Sequence, residues 1–223
     1  LKTVRLPIKN DPGSSKTASP TADSEKFAPF ADRTSRDLRN GLSVAFARAL
    51  DTGRPDGYHQ VARRWRACTL SAGCRHYLEN RLALYDRVMA AWTARLDSSP
   101  TAAALELWNL GLFFEVHEVV ERVWRVARGG RREALKGLVQ AAGVYVHLEA
   151  ARPESAARLA ARAAQRLDRW RKNLPEISNL GELLEALAAH PAVPCRLAAA
   201  GGGPSATLHP RGPQSKPEYP PQA

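Results

Sequence analysis

Cysteine is scarce in this chain of 223 residues, and the three present, Cys68, Cys74 and Cys195, are odd in number. That excludes a disulfide framework and fits a reducing compartment, so a cytoplasmic location is expected. No run reaches the roughly 18 to 20 consecutive apolar residues that span a bilayer, so no membrane partner is expected. The opening stretch "LKTVRLPIKNDPGSS" lacks the apolar core of a signal peptide, although it begins with Leu1 and not with a methionine. Phosphate-cradling glycine loops, serine elbows and dinucleotide fingerprints are missing as well. Cys68, Cys74 and His76 are spaced too widely and irregularly for a zinc knuckle. No useful length alternates with period two, which removes the signature of a half-buried strand.

What the chain does have is positive charge, 33 Lys plus Arg against 22 Asp plus Glu, for a formal +11. Such an excess attracts polyanions without regard to their sequence. Abundant Arg and Ala together are equally what a GC-rich genome produces without selection for binding. Residues 1–32 mix Pro, Ser, Thr, Lys and Asp with little apolar periodicity, and residues 191–223 are rich in Gly and Pro. Both ends read as disordered tails, because little apolar burial is on offer there to offset ordering entropy. Residues 33–97 form an N-terminal helical region and residues 98–190 a helical bundle.

The period between the tails is helical almost throughout. Leu38, Leu42, Ala45 and Ala49 mark one amphipathic helix, with Thr34 and Ser35 as candidate caps. Val61, Trp65 and Cys68 mark a second. Leu78, Leu82, Tyr85, Met89, Trp92 and Leu96 carry a seven-residue rhythm that predicts a helix over 75–96. Asp97, Ser98 and Ser99 stop it and cap the next, with Pro100 in a first turn that tolerates it. Further helices are expected up to Trp108, then, after a turn at Asn109 to Gly111, to the "RGG" at 128–130, on to about Ala150, from Pro153 to Asn173, and over about 179–189. The fold class is therefore all-α, an antiparallel bundle built from helix hairpins.

The stretch "NLGLFFEVHEVVERVW", residues 109–124, carries the chemistry. On a helical wheel Val116, Val119, Val120, Val123 and Ala127 form an apolar arc, and Glu115, Glu118, Arg122 and Arg125 a charged arc opposite. Glu118 and Arg122 make an i,i+4 pair suited to a solvated face. His117, Glu121 and Trp124 fall together on one border, beside Phe113. "HEVVE" differs from the zinc-protease helix, which needs a second His where Glu121 stands, and the wheel turns Glu118 outward; that chemistry is rejected. His117 and Glu121, one turn apart, can still share one ion or one proton. A half-buried Glu121 needs the His117 imidazolium, Lys136 or an arginine, or a divalent metal beside it.

On the next helix Lys136, Gln140, Gly143 and His147 make a narrow polar stripe. Antiparallel packing about Gly129 and Gly130 would bring Glu121 near Gln140 and His117 near Gly143, with His147 one turn further. Gly137 and Gly143 would permit close backbone approach. The competing reading makes this stripe the solvent face of a hairpin helix, which leaves His117 and Glu121 as a hydrogen-bonded pair at the rim.

At these residues the sequence resembles domain of unknown function 309, a family found in bacteria and archaea and marked by His-x-x-x-Glu-x-x-Trp/Tyr. His117, Glu121 and Trp124 match the motif, and "KGLVQAA" follows in order, so the resemblance spans about 102–170. It implies a small helical bundle of unassigned activity whose motif has been suggested to bind metal, with Gly137 and Gln140 as weaker companions.

Two functional readings result. In the first, His117 and Glu121 hold a divalent metal ion or a small ligand, with His147 as a weaker metal donor and Trp124, Gln140 and Gly137 lining the ligand. In the second, a noncatalytic interaction module uses Arg158, Arg162 and Arg166, which recur every fourth residue, to meet nucleic acid or an acidic partner, the motif being a structural polar network. Whether the first is an enzyme is left open by the sequence.

Overall fold

The computed structural model describes residues 26–92, 99–189 and 193–200, and among them there are eight α-helices and no sheet. The helices are α1 (Arg33–Thr52), α2 (Asp56–Arg66), α3 (Ala72–Trp92), α4 (Pro100–Asn109), α5 (Phe113–Val126), α6 (Gly129–Glu149), α7 (Pro153–Trp170) and α8 (Leu180–Ala188). The expected helix end at Leu96, and most of the two expected tails, lie outside the described residues. Successive helices pack as hairpins, most extensively α6 with α7 and α5 with α6, while α1 crosses back onto α5 and α3. None of these helices is long and apolar enough to cross a membrane.

Local chemistry explains the boundaries. Ser99 caps α4 by accepting from the Ala102 N–H, and Pro100 occupies its first turn. Pro153 does the same for α7. The cap of α1 is Asp32, whose carboxylate accepts from Thr34 N and Ser35 N; it replaces the expected Thr34 and Ser35. Ser35 is buried, where its hydroxyl accepts from Ala28 N and lies 3.3 Å from Cys74 Sγ. The "RGG" turn starts α6 as much as it ends α5, with Gly129 at φ +56°, a conformation glycine adopts at little cost.

One hydrophobic cluster runs from Leu38 of α1 to Leu187 of α8, so the first three helices share their core with the rest. Phe46 stacks on Tyr85 at 3.9 Å, and Trp108 meets both Phe113 and Tyr145 edge to face at 5.3 Å. Gly137 and Gly143 are the close-approach points, but toward α7. A β-carbon on Gly137 would come 2.9 Å from Leu167 Cγ, and one on Gly143 would come 2.8 Å from Leu159 Cδ2. Residues 193–200, assigned by composition to the C-terminal tail, run back along the bundle. Leu197 is buried there, its N–H donates to Asn109 Oδ1 at 2.8 Å, and Cys195 O accepts from Trp108 Nε1. Of the segment before α1, Phe27 lies face to face on Tyr77 at 3.7 Å.

Candidate functional site

α5 places His117, Glu118 and Glu121 on one surface, all half-buried, with one donor atom from each within 4.8 Å of the others. His117 Nδ1 stands 3.7 Å from Glu118 Oε1, and it is a buried nitrogen with no hydrogen-bond partner. Glu121 is paired by its own helix, accepting from Arg125 Nη2 at 3.1 Å. Of the three ways to satisfy this carboxylate, an arginine is the one realised, and it comes from the next turn of α5. Trp124 buries an indole N–H without an acceptor, and the Arg132 guanidinium lies 4.7 Å over its ring.

Only part of the charged arc of α5 faces water as its wheel suggested: Arg122 and Arg125 are exposed, the two glutamates are not. Glu115 is fully buried, Glu118 is half-buried, and Arg122 reaches α1, where it donates to Ala47 O and pairs with Asp51, not with Glu118. The cause is tertiary. An amphipathic wheel assumes one packed face, whereas α5 packs on α4, α6 and α1 and also meets α3 through Glu115. Glu118 thereby joins His117 and Glu121 as a donor, and the carboxyls of Glu115 and Glu118 both act on Arg39 of α1.

The other expected site residues divide. Gln140 Oε1 accepts from Arg166 Nε of α7 at 3.2 Å, and Gly137 lies against Leu167, so both serve the contact between α6 and α7. His147 stacks on Phe30 at 4.9 Å with a buried, unpartnered Nδ1, and it is not among the donors gathered at His117. Burial, and then Arg152, Arg158 and Arg39, hold the His147 imidazole below its ordinary range, which keeps it neutral near pH 7. In the arginine stripe, Arg166 is committed to Glu133 and Gln140, and Arg158 lies beside Glu154 and Ser155. Arg162 is exposed.

A second polar cluster went unseen in the sequence. Tyr85 of α3 donates to Glu115 Oε1 at 2.6 Å, and Arg81 Nη1 stands 3.8 Å from Glu115 Oε2. Burial, the largest single influence, disfavours the Arg81 cation, but Glu115, Tyr77, Tyr85 and Glu149 together outweigh it and push the guanidinium up. Tyr77, one turn before Arg81, has a buried hydroxyl with no partner, and burial followed by Glu115 raises it. Above them opens a cleft of about 720 Å³ between the start of α3, Phe27, the turn at Leu110 and Gly111, and Glu149 at the end of α6. The spacing of Tyr77 and Arg81 at i,i+4 was visible beforehand; nothing local linked them to Glu115 or Glu149.

Glu149 stands at the cleft rim, where burial raises its carboxyl to about 7; Arg81 opposes the shift, Glu115 adds to it and Arg39 opposes it. Its place at a helix C-terminus disfavours the anion further. Between its ordinary 4.5 and about 7 the unfolded chain has lost this proton while the folded one keeps it. Stability therefore falls as pH rises through that window and levels off above it. With allowance for the water that reaches this exposed side chain, the effect is about 1 kcal/mol. Glu149→Gln should leave the melting temperature unchanged near pH 4 and raise it near pH 8, roughly in step with that figure. Parallel melts of both proteins across this range check it, and an equal pH response in the two refutes the assignment.

The geometry defines a class first: an all-helical bundle with a half-buried His–Glu–Glu donor cluster on its central hairpin. Within it, residues 101–159, from α4 into the first turns of α7, match the family model described as "Domain of unknown function (DUF309)". No curated protein and no solved structure matched the chain.

Proposed function

We propose that the protein binds a divalent metal ion on α5 through His117, Glu118 and Glu121. The observation that supports this most is the buried His117 Nδ1, which has no partner of its own and stands 3.7 Å from Glu118 Oε1, on a ring that Glu121 also approaches. The donor set suits the ion. One imidazole and two carboxylates match borderline and hard divalent cations, and three protein donors leave room for water or a small ligand. Two donors on one ion bonded at about 2.1 Å can stand at most about 4.2 Å apart, so a separation of up to 4.8 Å closes with a small carboxylate rotation. Glu121 would exchange Arg125 for the ion at little loss, because the Arg125 side chain is 63% exposed.

When bound, such an ion supplies Lewis acidity to whatever fills its open positions. The chain's own contributions are to orient and to exclude water. Phe114 lies parallel to the His117 ring at 6.0 Å, and its other neighbour is the Arg39 guanidinium, 3.9 Å from its ring centroid. Trp124 offers its unpartnered indole N–H to a ligand on the same helix surface.

Titration of tag-free protein with Zn²⁺ or Mn²⁺ by calorimetry, beside metal analysis of the purified chain, tests the proposal. One ion per chain is expected. His117→Ala should weaken binding by two or more powers of ten, about 3 kcal/mol, and Glu118→Gln and Glu121→Gln should each weaken it measurably. Equal, negligible metal in all four proteins removes the ion. The arginine stripe offers less to nucleic acid than its spacing promised, because Arg166 is already taken by Glu133 and Gln140.

A further inference from the structure

The cleft above Arg81 combines features that binding sites share. Its volume falls within the few hundred to thousand Å³ typical of small-molecule pockets. Phe27, Leu84 and Leu110 supply apolar wall, and a few polar groups converge on it. Arg81 is one of these. Its side chain is 13% exposed, its nearest carboxylate oxygen is 3.8 Å away, beyond a good hydrogen bond, and its guanidinium lies 5.1 Å from the Tyr77 ring centroid. Tyr77 is the second, with a buried hydroxyl that lacks a partner. A buried donor left unmade costs free energy, and a ligand oxygen placed on the Arg81 fork would lie close enough to receive it.

Charge selects the ligand. Arg81 and, at the mouth, Lys26 disfavour an amine. Glu115 behind Arg81 already offsets its single positive charge and disfavours a dianion such as phosphate. A single carboxylate suits one guanidinium fork, and the apolar walls ask for an aromatic or aliphatic body behind it. We propose that this cleft binds a small organic carboxylate with an apolar body, whose carboxylate docks on Arg81 and accepts from the Tyr77 hydroxyl. The proposal is independent of the metal binding proposed at His117, since the two sites share no residue.

Phenylacetate, with phenylacetamide as its neutral isostere and inorganic phosphate as a second control, is the probe. It is titrated into the full chain at up to millimolar concentration and followed by amide chemical shifts. Phenylacetate should shift the amides of Arg81, Leu84 and Gly111, and bind at least about tenfold more tightly than phenylacetamide or phosphate. Tyr77→Phe should weaken it several-fold, and Arg81→Gln should abolish the preference for the acid. Because Arg81→Gln also disturbs Glu115, Ala72→Trp is the second variant: Ala72 is exposed at the cleft edge, so the indole fills the cleft without touching the buried charges. It should block phenylacetate while the thermal melt is kept. Exposed Arg87→Gln should change nothing. Absence of phenylacetate binding, equal affinity for acid and amide, phosphate binding as tightly as the acid, or undiminished binding to Ala72→Trp would each overturn the proposal.

Discussion

Replacing Glu115 with leucine should cost about 3–5 kcal/mol of stability, among the largest effects of any single substitution in this chain. Glu115 is fully buried, accepts from the Tyr85 hydroxyl at 2.6 Å and faces Arg81 at 3.8 Å. Leucine fills a similar space, so the loss comes from what remains behind. The Arg81 guanidinium would keep its charge in a poorly solvated place without a counter-charge, and the Tyr85 hydroxyl would lose its acceptor, itself worth about 1–3 kcal/mol. The same reasoning predicts a recovery. Glu115→Leu combined with Arg81→Leu replaces an ion pair by apolar volume, and such replacements are often near neutral, so the double variant should regain most of the loss. Urea melts of the parent, Glu115→Leu, Arg81→Leu and the double variant, compared at constant slope, measure it. A single variant within about 1 kcal/mol of the parent would show that water or Glu149 satisfies Arg81 unaided.

Trp108→Ala should cost about 3–5 kcal/mol by a different route, the loss of buried volume. Trp108 is 2% exposed, meets Phe113 and Tyr145 edge to face, and donates its indole N–H to Cys195 O at 2.8 Å. The last contact ties residues 193–200 to α4, beside the bonds that Asn109 and Asn179 make to Leu197 and Ala198. Trp108→Phe weights the two contributions differently, because it keeps a six-membered ring in the packing but removes the donor, about 1 kcal/mol, together with part of the buried volume. Its signature should be faster amide exchange at Leu197 and Ala198, with that at Val119 and Leu138 unchanged. Exchange that is equally fast throughout would mean the segment is held by other contacts.

How much of this was legible beforehand varies with the kind of statement. The helices were, because an apolar side chain at every third or fourth position is a local record of one buried face, and Pro100, Pro153 and Gly129 act on their own backbone. The resemblance around His117, Glu121 and Trp124 was legible for the same reason, since i,i+4 spacing needs no neighbour to be read. The surroundings of α5 were not. Its wheel shows one apolar arc, and the charged arc looked solvated until α1 and α3 were placed over it, burying Glu115 and turning Arg122 to Asp51. Gly137 and Gln140 show the same limit: their position on α6 was readable, but their partner is α7, not α5.

The sequence alone determined that the described residues are helical, that Pro100 and Pro153 start two of the helices, and that a His-x-x-x-Glu-x-x-Trp motif lies on α5, because each depends on interactions within a few residues. Only the tertiary structure decided that Glu118 stands with His117 and Glu121, that Glu115 is enclosed with Tyr85 and Arg81, and that a cleft opens above Arg81. The contact between Tyr85 and Glu115 joins residues 30 positions apart, and which helix covers which face is set by how the whole bundle buries its apolar surface, a quantity no single segment contains.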